Sequence, residues 1–430
     1  MKHKIIAPGL RLIIGFALLI LIGSIILNLP ISHNSTKVFG YVDYLFVSCS
    51  AVCVTGLTPM DISLSLSIFG KIILAILIQM GGLGFASFAI FFLLILGKQI
   101  SQQDRTLIRT SLNSNSHSGL VTLVKTVLTF AFIIETIGTI LTYIAINKDY
   151  NTVDAIGISI FQSISAFNNA GFDLFGNFSS LTSYSTNNLM LLTTALLIIL
   201  GGLGFFVITD ILKSRHWRKF KNHTKIVLFM TCFLLIFGTI GIYLTEGNIS
   251  FLSAFFQSTT SRTAGFNSID TKSLTEPGLM LVMVLMFIGA NPGSTGGGIK
   301  TTTIYTIIKN VFSKIRKKET YTFKRKIPNE SVLKAYSVFF LAQTAIIFAT
   351  LLILLKEGNN FTFVQVVFEV ISAFATVGLS LGITTDLTSF SKIVLIFIMF
   401  IGRLGPLTIV TSWTTKHHNL RFIEEDILIG

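Results

Sequence analysis

The sequence has little charge: only 12% of its 430 residues are Asp, Glu, Lys or Arg, about half the share found in soluble proteins. Apolar runs of about 20 residues, the length that crosses a bilayer, recur instead from end to end. The first of them, 10–30, has no small-residue cleavage site after it and is expected to be retained as a span. The scarcity of charge therefore predicts a multi-pass membrane protein.

Acids are scarcer than bases, with 19 Asp and Glu against 33 Lys and Arg, a net charge of +14. Such an excess can indicate a nucleic-acid partner, but here the bases concentrate between the apolar runs. They occupy the stretches 1–11, 98–125, 213–225, 300–334 and 416–430. This positive-inside pattern predicts no nucleic-acid partner, both termini in the cytoplasm, and contact of the basic loops with anionic lipid.

Cysteine is rare as well. Cys49, Cys53 and Cys232 have no metal-ligand spacing and are expected to be free thiols. No nucleophile–base pair and no cluster of His, Asp, Cys or Ser in register indicates catalysis, so the sequence predicts no enzyme, no cofactor and no resident metal. No βαβ pattern with a glycine fingerprint occurs either, so any control by nucleotide requires another polypeptide.

A four-fold repeat organises the apolar runs. Charge clusters separate eight predicted crossings, at 10–30, 67–97, 120–146, 187–212, 225–245, 277–312, 332–356 and 389–415. Between each odd and even crossing lies an apolar piece that is too short to span and suits a re-entrant segment. The four pieces align as FVSCSAVCVTGL (46–57), FQSISAFNNAGF (161–172), FFQSTTSRTAGF (255–266) and FEVISAFATVGL (368–379). Each has a Phe ten residues before its glycine and a Ser or Thr six before it.

The predicted fold is therefore an all-α membrane protein, with four tandem span–pore-helix–span repeats around one pseudo-four-fold pore and eight full transmembrane helices. The first repeat is 1–97 with its motif at 46–58. The second is 98–224, with a cytoplasmic loop before its motif at 161–173. The third, 225–330, carries a motif at 255–267 and an intramembrane loop at 289–303. The fourth, 331–415, has its motif at 368–380, and 416–430 form a cytoplasmic tail.

Glycine recurs at one position of every motif. Irregular backbone at membrane depth is tolerated where it lines a watery cavity, and glycine lets carbonyl oxygens turn inward. Rings of such carbonyls can replace the hydration shell of a cation. The predicted filter residues are Val54, Thr55, Gly56, Asn169, Ala170, Gly171, Thr263, Ala264, Gly265, Thr376, Val377 and Gly378. Helix packing is the alternative role of these glycines, but packing does not require Phe, Ser or Thr, and Gly in fixed register.

The even-numbered crossings carry a second glycine motif: GGLGF (81–85), GGLGF (201–205), GANPG (289–293) and GRLGP (402–406). The third copy continues to 303 as GANPGSTGGGIKTTT, whose glycines, hydroxyls and lysine suggest a phosphate-binding loop. Such a loop has its lysine directly after a glycine and follows a strand. Here Ile299 separates Gly298 from Lys300, and an apolar helix precedes. The segment is predicted to interrupt a membrane helix, either as a movable gate or as a static kink.

Together these motifs resemble the membrane subunit of the Ktr/Trk/HKT superfamily of potassium uptake systems, most closely the Ktr type. The resemblance rests on VTGLT (54–58), NNAGF (168–172), SRTAGF (261–266), ATVGL (375–379) and PGSTGGGIKTTT (292–303), and covers essentially the whole chain. It implies a potassium-translocating homodimer in the cell membrane, with one pore per protomer and a cytosolic ring of nucleotide-binding RCK subunits that controls opening. The cargo it implies is K+, with Na+ as a candidate activating ion. Glycine at 56 favours potassium, since a serine there accompanies sodium permeation in the superfamily.

The same resemblance implies a gate below the filter, formed by Gly289, Asn291, Pro292, Gly293, Ser294, Thr295, Gly296, Gly297, Gly298, Lys300 and Arg403. Arg403 replaces a glycine of the bend in the fourth repeat. An intramembrane arginine is costly and is expected to be functional unless it snorkels to the surface. Arg262, three residues before Gly265, is expected behind the filter as a structural brace, paired to Asp173, Asp270 or Glu369. Glu135, in the third crossing, is expected in a buried pair or hydrogen bond.

A broken-helix secondary cation transporter is the rival interpretation. It would show two inverted repeats and intramembrane acids, whereas the sequence shows four parallel copies and few acids. The leading prediction is a potassium-conducting subunit of a gated uptake system.

Overall fold

The computed structural model describes residues 8–34, 39–84 and 120–412. Within these ranges the regular structure is helical apart from one antiparallel hairpin, β1 (Tyr321–Thr322) and β2 (Arg325–Lys326). Several features of the sequence analysis lie outside the described residues: the segment 1–7, the distal part of the predicted crossing 67–97, the basic loop 98–119 and the tail 416–430.

The helices follow one another in four similar sets. The first set is α1 (Pro8–Leu27), α2 (Tyr41–Cys53), α3 (Ile62–Ser65) and α4 (Ile68–Gly82). The second is α5 (Leu120–Ile146), α6 (Thr152–Phe167), α7 (Asn188–Gly202) and α8 (Phe205–Ser214). The third is α9 (Asn222–Glu246), α10 (Phe251–Thr260), α11 (Glu276–Phe287) and α12 (Thr301–Ile315). The fourth is α13 (Asn329–Glu357), α14 (Phe363–Ala375), α15 (Ser389–Leu404) and α16 (Pro406–Ser412).

Each set opens on a helix long and apolar enough to cross a membrane. In the described part of the chain these are α1, α5, α9 and α13, and α7 with α8 forms a fifth span if the pair is counted as one despite a bend of 92°. The sequence predicted eight full crossings, and three of the even-numbered ones are interrupted. The crossings 187–212 and 389–415 break at the second glycine motif, because Gly204 and Gly405 adopt φ of +94° and +85°, a backbone that does not continue an α-helix. The crossing 277–312 is interrupted between Phe287 and Thr301.

One packing device recurs in the first three sets. A serine of the short helix inserts at a glycine of the preceding long helix: Ser48 at Gly23, Ser163 at Gly138 and Ser258 at Gly238. Each Oγ also donates to the carbonyl three residues before that glycine, at 2.7, 2.6 and 3.1 Å. A Cβ on these glycines would lie 2.5 Å or less from the serine Oγ. Only glycine therefore lets the short helix approach this closely.

The helices that return across the membrane begin in the same way in all four sets. Their N-caps are Ser67, Asn187, Thr275 and Thr388, and each side chain accepts a hydrogen bond from the backbone N–H three residues further on. Such caps satisfy backbone donors that a helix start leaves free. They fix the point at which each returning helix begins.

The short helices α2, α6, α10 and α14 form the inner layer of the molecule. The phenylalanines Phe46, Phe161, Phe256 and Phe368, one from each, are 4% exposed or less. The long helices surround them and turn large apolar side chains outward, among them Ile22, Phe132, Ile236 and Phe348. An apolar outer surface of this extent suits contact with lipid.

Candidate functional site

Each short helix of the inner layer is followed by an irregular segment that holds one of the aligned glycines. These glycine strands are 54–56, 169–171, 263–265 and 376–378. Their glycines all have positive φ: +93° at Gly56, +69° at Gly171, +80° at Gly265 and +96° at Gly378. Residues with a Cβ rarely adopt this backbone, which explains why glycine stands at all four positions.

The four glycine strands form a closed ring. A Cβ built on each glycine would approach the carbonyl oxygen just before the next glycine. The distances are 2.5 Å from Gly56 to Ala170, 2.4 Å from Gly171 to Ala264, 2.1 Å from Gly265 to Val377 and 2.2 Å from Gly378 to Thr55. Because the fourth contact returns to the first strand, the strands surround one axis in chain order. At this axis four irregular backbone segments converge.

The ends of the short helices hold the strands in place. Ser50 Oγ accepts a hydrogen bond from the Gly56 N–H at 3.0 Å, and Ser372 Oγ accepts one from the Gly378 N–H at 3.1 Å. The first residue of three strands has a left-handed φ: Val54 (+59°), Asn169 (+59°) and Thr376 (+52°). The chain thus turns out of the helix and into the strand within one residue.

The third strand is built differently. The carbonyl oxygen of Thr260 accepts hydrogen bonds from the N–H groups of Thr263, Ala264 and Gly265, so the helical turn runs almost to the glycine. The fully buried phenylalanine of this motif is Phe256, whereas the sequence alignment gave that place to Phe255. The alignment of the short helix is therefore off by one residue here, because Phe256 lies nine residues before Gly265, whereas the buried phenylalanines of the other three motifs lie ten residues before their glycines.

A cavity of about 600 Å³ opens at the ring and is lined by all four glycines. Its described wall carries three acids, Asp61, Asp173 and Asp270, against one base, Lys272. A cleft lined mainly by one sign of charge concentrates ions of the opposite sign. Burial, together with the charge of Asp61, raises the pKa of the Asp173 carboxyl to about 7, although the Phe175 N–H donates to it and opposes the shift.

The segment 289–303 contacts the glycine strands at the residues that precede the glycines. The Gly297 N–H donates to Thr376 Oγ1 at 3.0 Å. A Cβ on Gly296 would lie 2.9 Å from Thr263 Cβ. The segment is thus packed directly against the third and fourth strands.

The bend of the second set holds the other side of this segment. The Phe205 N–H donates to Gly293 O at 2.7 Å, and Asn291 Nδ2 donates to Gly202 O at 2.8 Å. Gly204 also lies against the segment, since its Cβ would be 2.6 Å from Pro292 O.

The segment is also held by contacts within itself. Ser294 Oγ donates to Asn291 O at 2.6 Å. The flanking Ile288 pairs with Ile299, and a Cβ on Gly289 would lie 2.6 Å from Gly297 O. Gly298, with φ of +68°, turns the chain toward α12.

Two basic side chains are bound to the same segment. Arg403 donates through Nη1 to Thr295 O and through Nη2 to Gly81 O and, at 3.0 Å, to Gly82 O. Lys300 Nζ donates to Gly296 O and Gly297 O at 2.7 and 3.2 Å. Arg403 thus joins the segment to the glycine bend of the first set. Its guanidinium ends on backbone carbonyls of two other repeats.

Arg262 does not have the partner that the sequence suggested. The two salt bridges among the described residues are Lys326–Glu319 and Lys392–Asp43, so pairing with Asp173, Asp270 or Glu369 was wrong. Glu369 instead accepts hydrogen bonds from the hydroxyls of Ser380 and Thr384. Arg262 is 7% exposed, its Nε has no hydrogen-bond partner, and it lines a small cavity beside Asn169 and Asn291.

Two functional candidates were missed at the level of sequence. Gln79 and Asn168 are polar residues in apolar surroundings, and both contact Glu135 behind the second strand. In the sequence each of them is only a single amide residue next to a glycine motif. Nothing in that pattern indicates that the two amides contact the same carboxyl group.

Residues 16–423 match the model of a family described as TrkH, cation transport protein. The chain belongs to this family of membrane cation transport proteins, so the prediction of a transport protein and not an enzyme is confirmed. It is 38% identical to the Ktr system potassium uptake protein B of Bacillus subtilis, over 100% of this chain and 99% of that protein. It is 37% identical to the potassium/sodium uptake protein NtpJ of Enterococcus hirae, over 100% and 98% of the two chains.

The fold is also similar to that of a solved structure. The potassium transporter TrkH of Vibrio parahaemolyticus superposes with a TM-score of 0.75 at 19% identity, covering 96% of this chain and 86% of that one. The family match and the 38% identical relative confirm the resemblance to Ktr/Trk membrane subunits inferred from the motifs. The prediction of a helical membrane protein is confirmed as well.

Proposed function

We propose that this chain is the potassium-translocating subunit of a gated uptake system in the cell membrane. The observation that carries the proposal is the closed ring of glycine strands, with an acidic cavity on one side and the segment 289–303 on the other. Two similar full-length relatives are named for potassium or potassium and sodium uptake. The ring supplies the site at which such an ion can be selected.

In this proposal the carbonyls of the twelve strand residues, 54–56, 169–171, 263–265 and 376–378, form the filter. Their oxygens replace water around the ion, which rings of carbonyls do for K+. The cavity with Asp61, Asp173 and Asp270 is the outer mouth. In this proposal both termini are in the cytoplasm, which the positive-inside charge supports, and this mouth is outside the cell.

The segment 289–303 acts as the gate loop in this proposal. It lies against the third and fourth strands, where it obstructs the path, and it is tied by hydrogen bonds from Arg403 and Lys300. Ser294, Thr295 and the glycines of the loop offer oxygens that can solvate a passing ion. Opening requires the loop to leave the strands, so a second state must be close in energy.

The partners are proposed from the resemblance and the charge pattern. A homodimer with one path per protomer, and a cytosolic RCK-type ring that binds nucleotide, would place control of the gate loop outside this chain. The basic hairpin of β1 and β2, which carries Arg325 and Lys326, is a candidate contact for that ring or for anionic lipid.

Uptake of rubidium-86 into liposomes that contain the purified chain tests the function. We expect excess unlabelled K+ to abolish uptake and excess Na+ to leave most of it. Equal competition by Na+ would contradict potassium selectivity. A chain without uptake, even after the gate loop is shortened by removing 293–298, would contradict the path itself.

Gly56→Ser should weaken discrimination against sodium. A Cβ at this position would lie 2.5 Å from Ala170 O, and φ is +93°, so a serine must displace the second strand. We expect the ratio of Na+ to K+ concentrations that halve rubidium uptake to fall about tenfold, the equivalent of ~1.4 kcal/mol. An unchanged ratio in protein that reaches the membrane at the normal amount would count against the carbonyl filter.

External acidification should slow uptake through the charge of Asp173. Because its pKa is raised to about 7, the carboxyl is charged above that pH and neutral below it. The mouth therefore loses one negative charge as the external pH falls through 7, and we expect uptake at low K+ and low salt to fall about two-fold. Asp173→Asn should remove this step, whereas Glu276→Gln, at the exposed start of α11, should retain it. A pH step that persists in Asp173→Asn would assign it to another group.

A further inference from the structure

A buried acid lies behind the second glycine strand and has no part in the function proposed above. Glu135 is on α5, 8% exposed, in a segment that crosses the membrane. It faces α4 of the first set and the C-terminal end of α6. The expectation of a buried hydrogen bond for this residue is confirmed, and its partners are two amides.

The contacts form a closed triangle. Gln79 Nε2 donates to both carboxyl oxygens of Glu135, at 2.9 and 3.0 Å. Asn168 Nδ2 donates to Glu135 Oε1 at 3.2 Å and to Gln79 Oε1 at 2.6 Å. Each side chain therefore touches the other two, and the three come from helices α4, α5 and α6.

Asn168 connects this triangle to the ring. It is the residue directly before Asn169, whose φ of +59° turns the chain into the second glycine strand. The Asn168 side chain also packs on the second glycine of the first bend, since a Cβ on Gly82 would lie 2.1 Å from Asn168 Oδ1. The Asn168 amide is thus held between Glu135 and Gly82. These contacts also fix the residue from which the second strand starts.

Every hydrogen bond to the Glu135 carboxyl is one that its oxygens accept, which suits the ionised form. Neither salt bridge of the described residues includes Glu135. Hydrogen bonds from neutral donors to a carboxylate are stronger than those between neutral groups. A carboxylate therefore orients Asn168 more firmly than an amide in its place.

Within the part of the chain that the structure describes, the other repeats lack this arrangement. The residues three before the glycine, equivalent to Asn168, are Cys53, Arg262 and Ala375. Cys53 lies 3.8 Å from the thiol of Cys49, and Arg262 has no acidic partner among the described residues. Among the contacts of the described residues, the second strand is thus the one that a carboxylate holds through the end of the preceding helix.

We propose that Glu135 is a positioning residue of the second glycine strand, which it holds through Gln79 and Asn168 in the geometry that discriminates K+ from Na+. The inference rests on the proposed filter. It adds that a single carboxylate outside the ion path, shared by the first and second repeats, determines how well the second strand selects.

The exchange of the two partners tests the idea. Glu135→Gln removes the carboxylate, and Gln79→Glu adds a second one beside it. The double variant, Gln79→Glu with Glu135→Gln, restores one carboxylate and one amide with their places exchanged. We expect each single variant to lower the Na+/K+ competition ratio for rubidium uptake about tenfold, and the double variant to recover most of it.

Ser159→Ala is the matched control, because Ser159 is buried on α6 and its Oγ bonds only within that helix, to Ala155 O. It should leave the ratio unchanged. An unchanged ratio in Glu135→Gln, or no recovery in a double variant that assembles normally, would overturn the proposal. If Glu135→Gln cannot be recovered from the membrane, a double variant that assembles and discriminates like the wild type still supports it.

All these variants are measured in the chain whose gate loop is shortened by removing 293–298. Absence of potassium-sensitive uptake in that chain with Gln79 and Glu135 unaltered would instead contradict the proposed function. The two failures are thereby distinguished, since only the second appears without a change at Gln79 or Glu135.

Discussion

Gly265→Ala should abolish most transport. The glycine has φ of +80°, and an added Cβ would lie 2.1 Å from the carbonyl oxygen of Val377, the shortest of the four contacts in the ring. A left-handed backbone costs a residue with a Cβ about 1–2 kcal/mol, and the contact can be relieved only by moving a strand of the filter. We therefore expect rubidium uptake to fall at least about tenfold.

Gly157→Ala provides the control for this substitution. Gly157 is an exposed residue of the short helix α6, and a Cβ there would meet nothing within 4 Å. Alanine is also the better helix former, so assembly and uptake should be normal. Normal uptake in Gly265→Ala would show that the third strand does not line the ion path.

Arg403→Gln should raise uptake by the chain alone, without a regulatory partner. The guanidinium joins Thr295 of the gate loop to Gly81 and Gly82 of the first bend, and a shorter neutral amide cannot make these contacts together. Hydrogen bonds from a charged donor contribute about 1.5–3 kcal/mol. Their loss should therefore shift the loop toward its open state and increase partner-free uptake at least about tenfold.

Lys392→Gln is the matched control, since it removes a base from the same helix, α15, that pairs with Asp43 and not with the loop. It should leave partner-free uptake at the level of the wild type. Arg403→Lys keeps the charge but cannot bind Thr295 O and the carbonyls of the first bend at once. Its partner-free uptake should therefore lie between that of the wild type and that of Arg403→Gln. If partner-free rubidium uptake by Arg403→Gln is no higher than that of the wild type, Arg403 does not hold the loop closed.

The sequence was sufficient for those parts of the structure that repeat. The long helices, the short helices and the four glycines can be located from apolar length and spacing, because each is specified within about 20 residues of chain. The one-residue error in the third motif shows the limit of that method. Phe255 and Phe256 are adjacent, and only packing decides which of them is buried.

Contacts between repeats were beyond sequence reasoning. Arg262 was assigned an acidic partner because a buried charge usually has one, yet the described structure leaves its Nε without a hydrogen bond. Gln79, Glu135 and Asn168 are far apart in sequence and belong to three helices. Their meeting depends on how two repeats pack, which no local pattern records. The break of the even-numbered crossings was likewise visible only as a glycine motif, not as a bend of 92°.

Among the described residues, the third repeat alone replaces a bend by a long loop between its last two helices, and this has a consequence for how the protein can vary. In the proposed mechanism all four strands determine which ion passes, whereas the loop of one repeat and the two bases bound to it determine when an ion passes. Substitutions in the loop and in its two anchoring bases can thus change the conditions under which the path opens, while the ring of glycines stays the same. Sensitivity to a signal and preference for an ion would then evolve as separate traits.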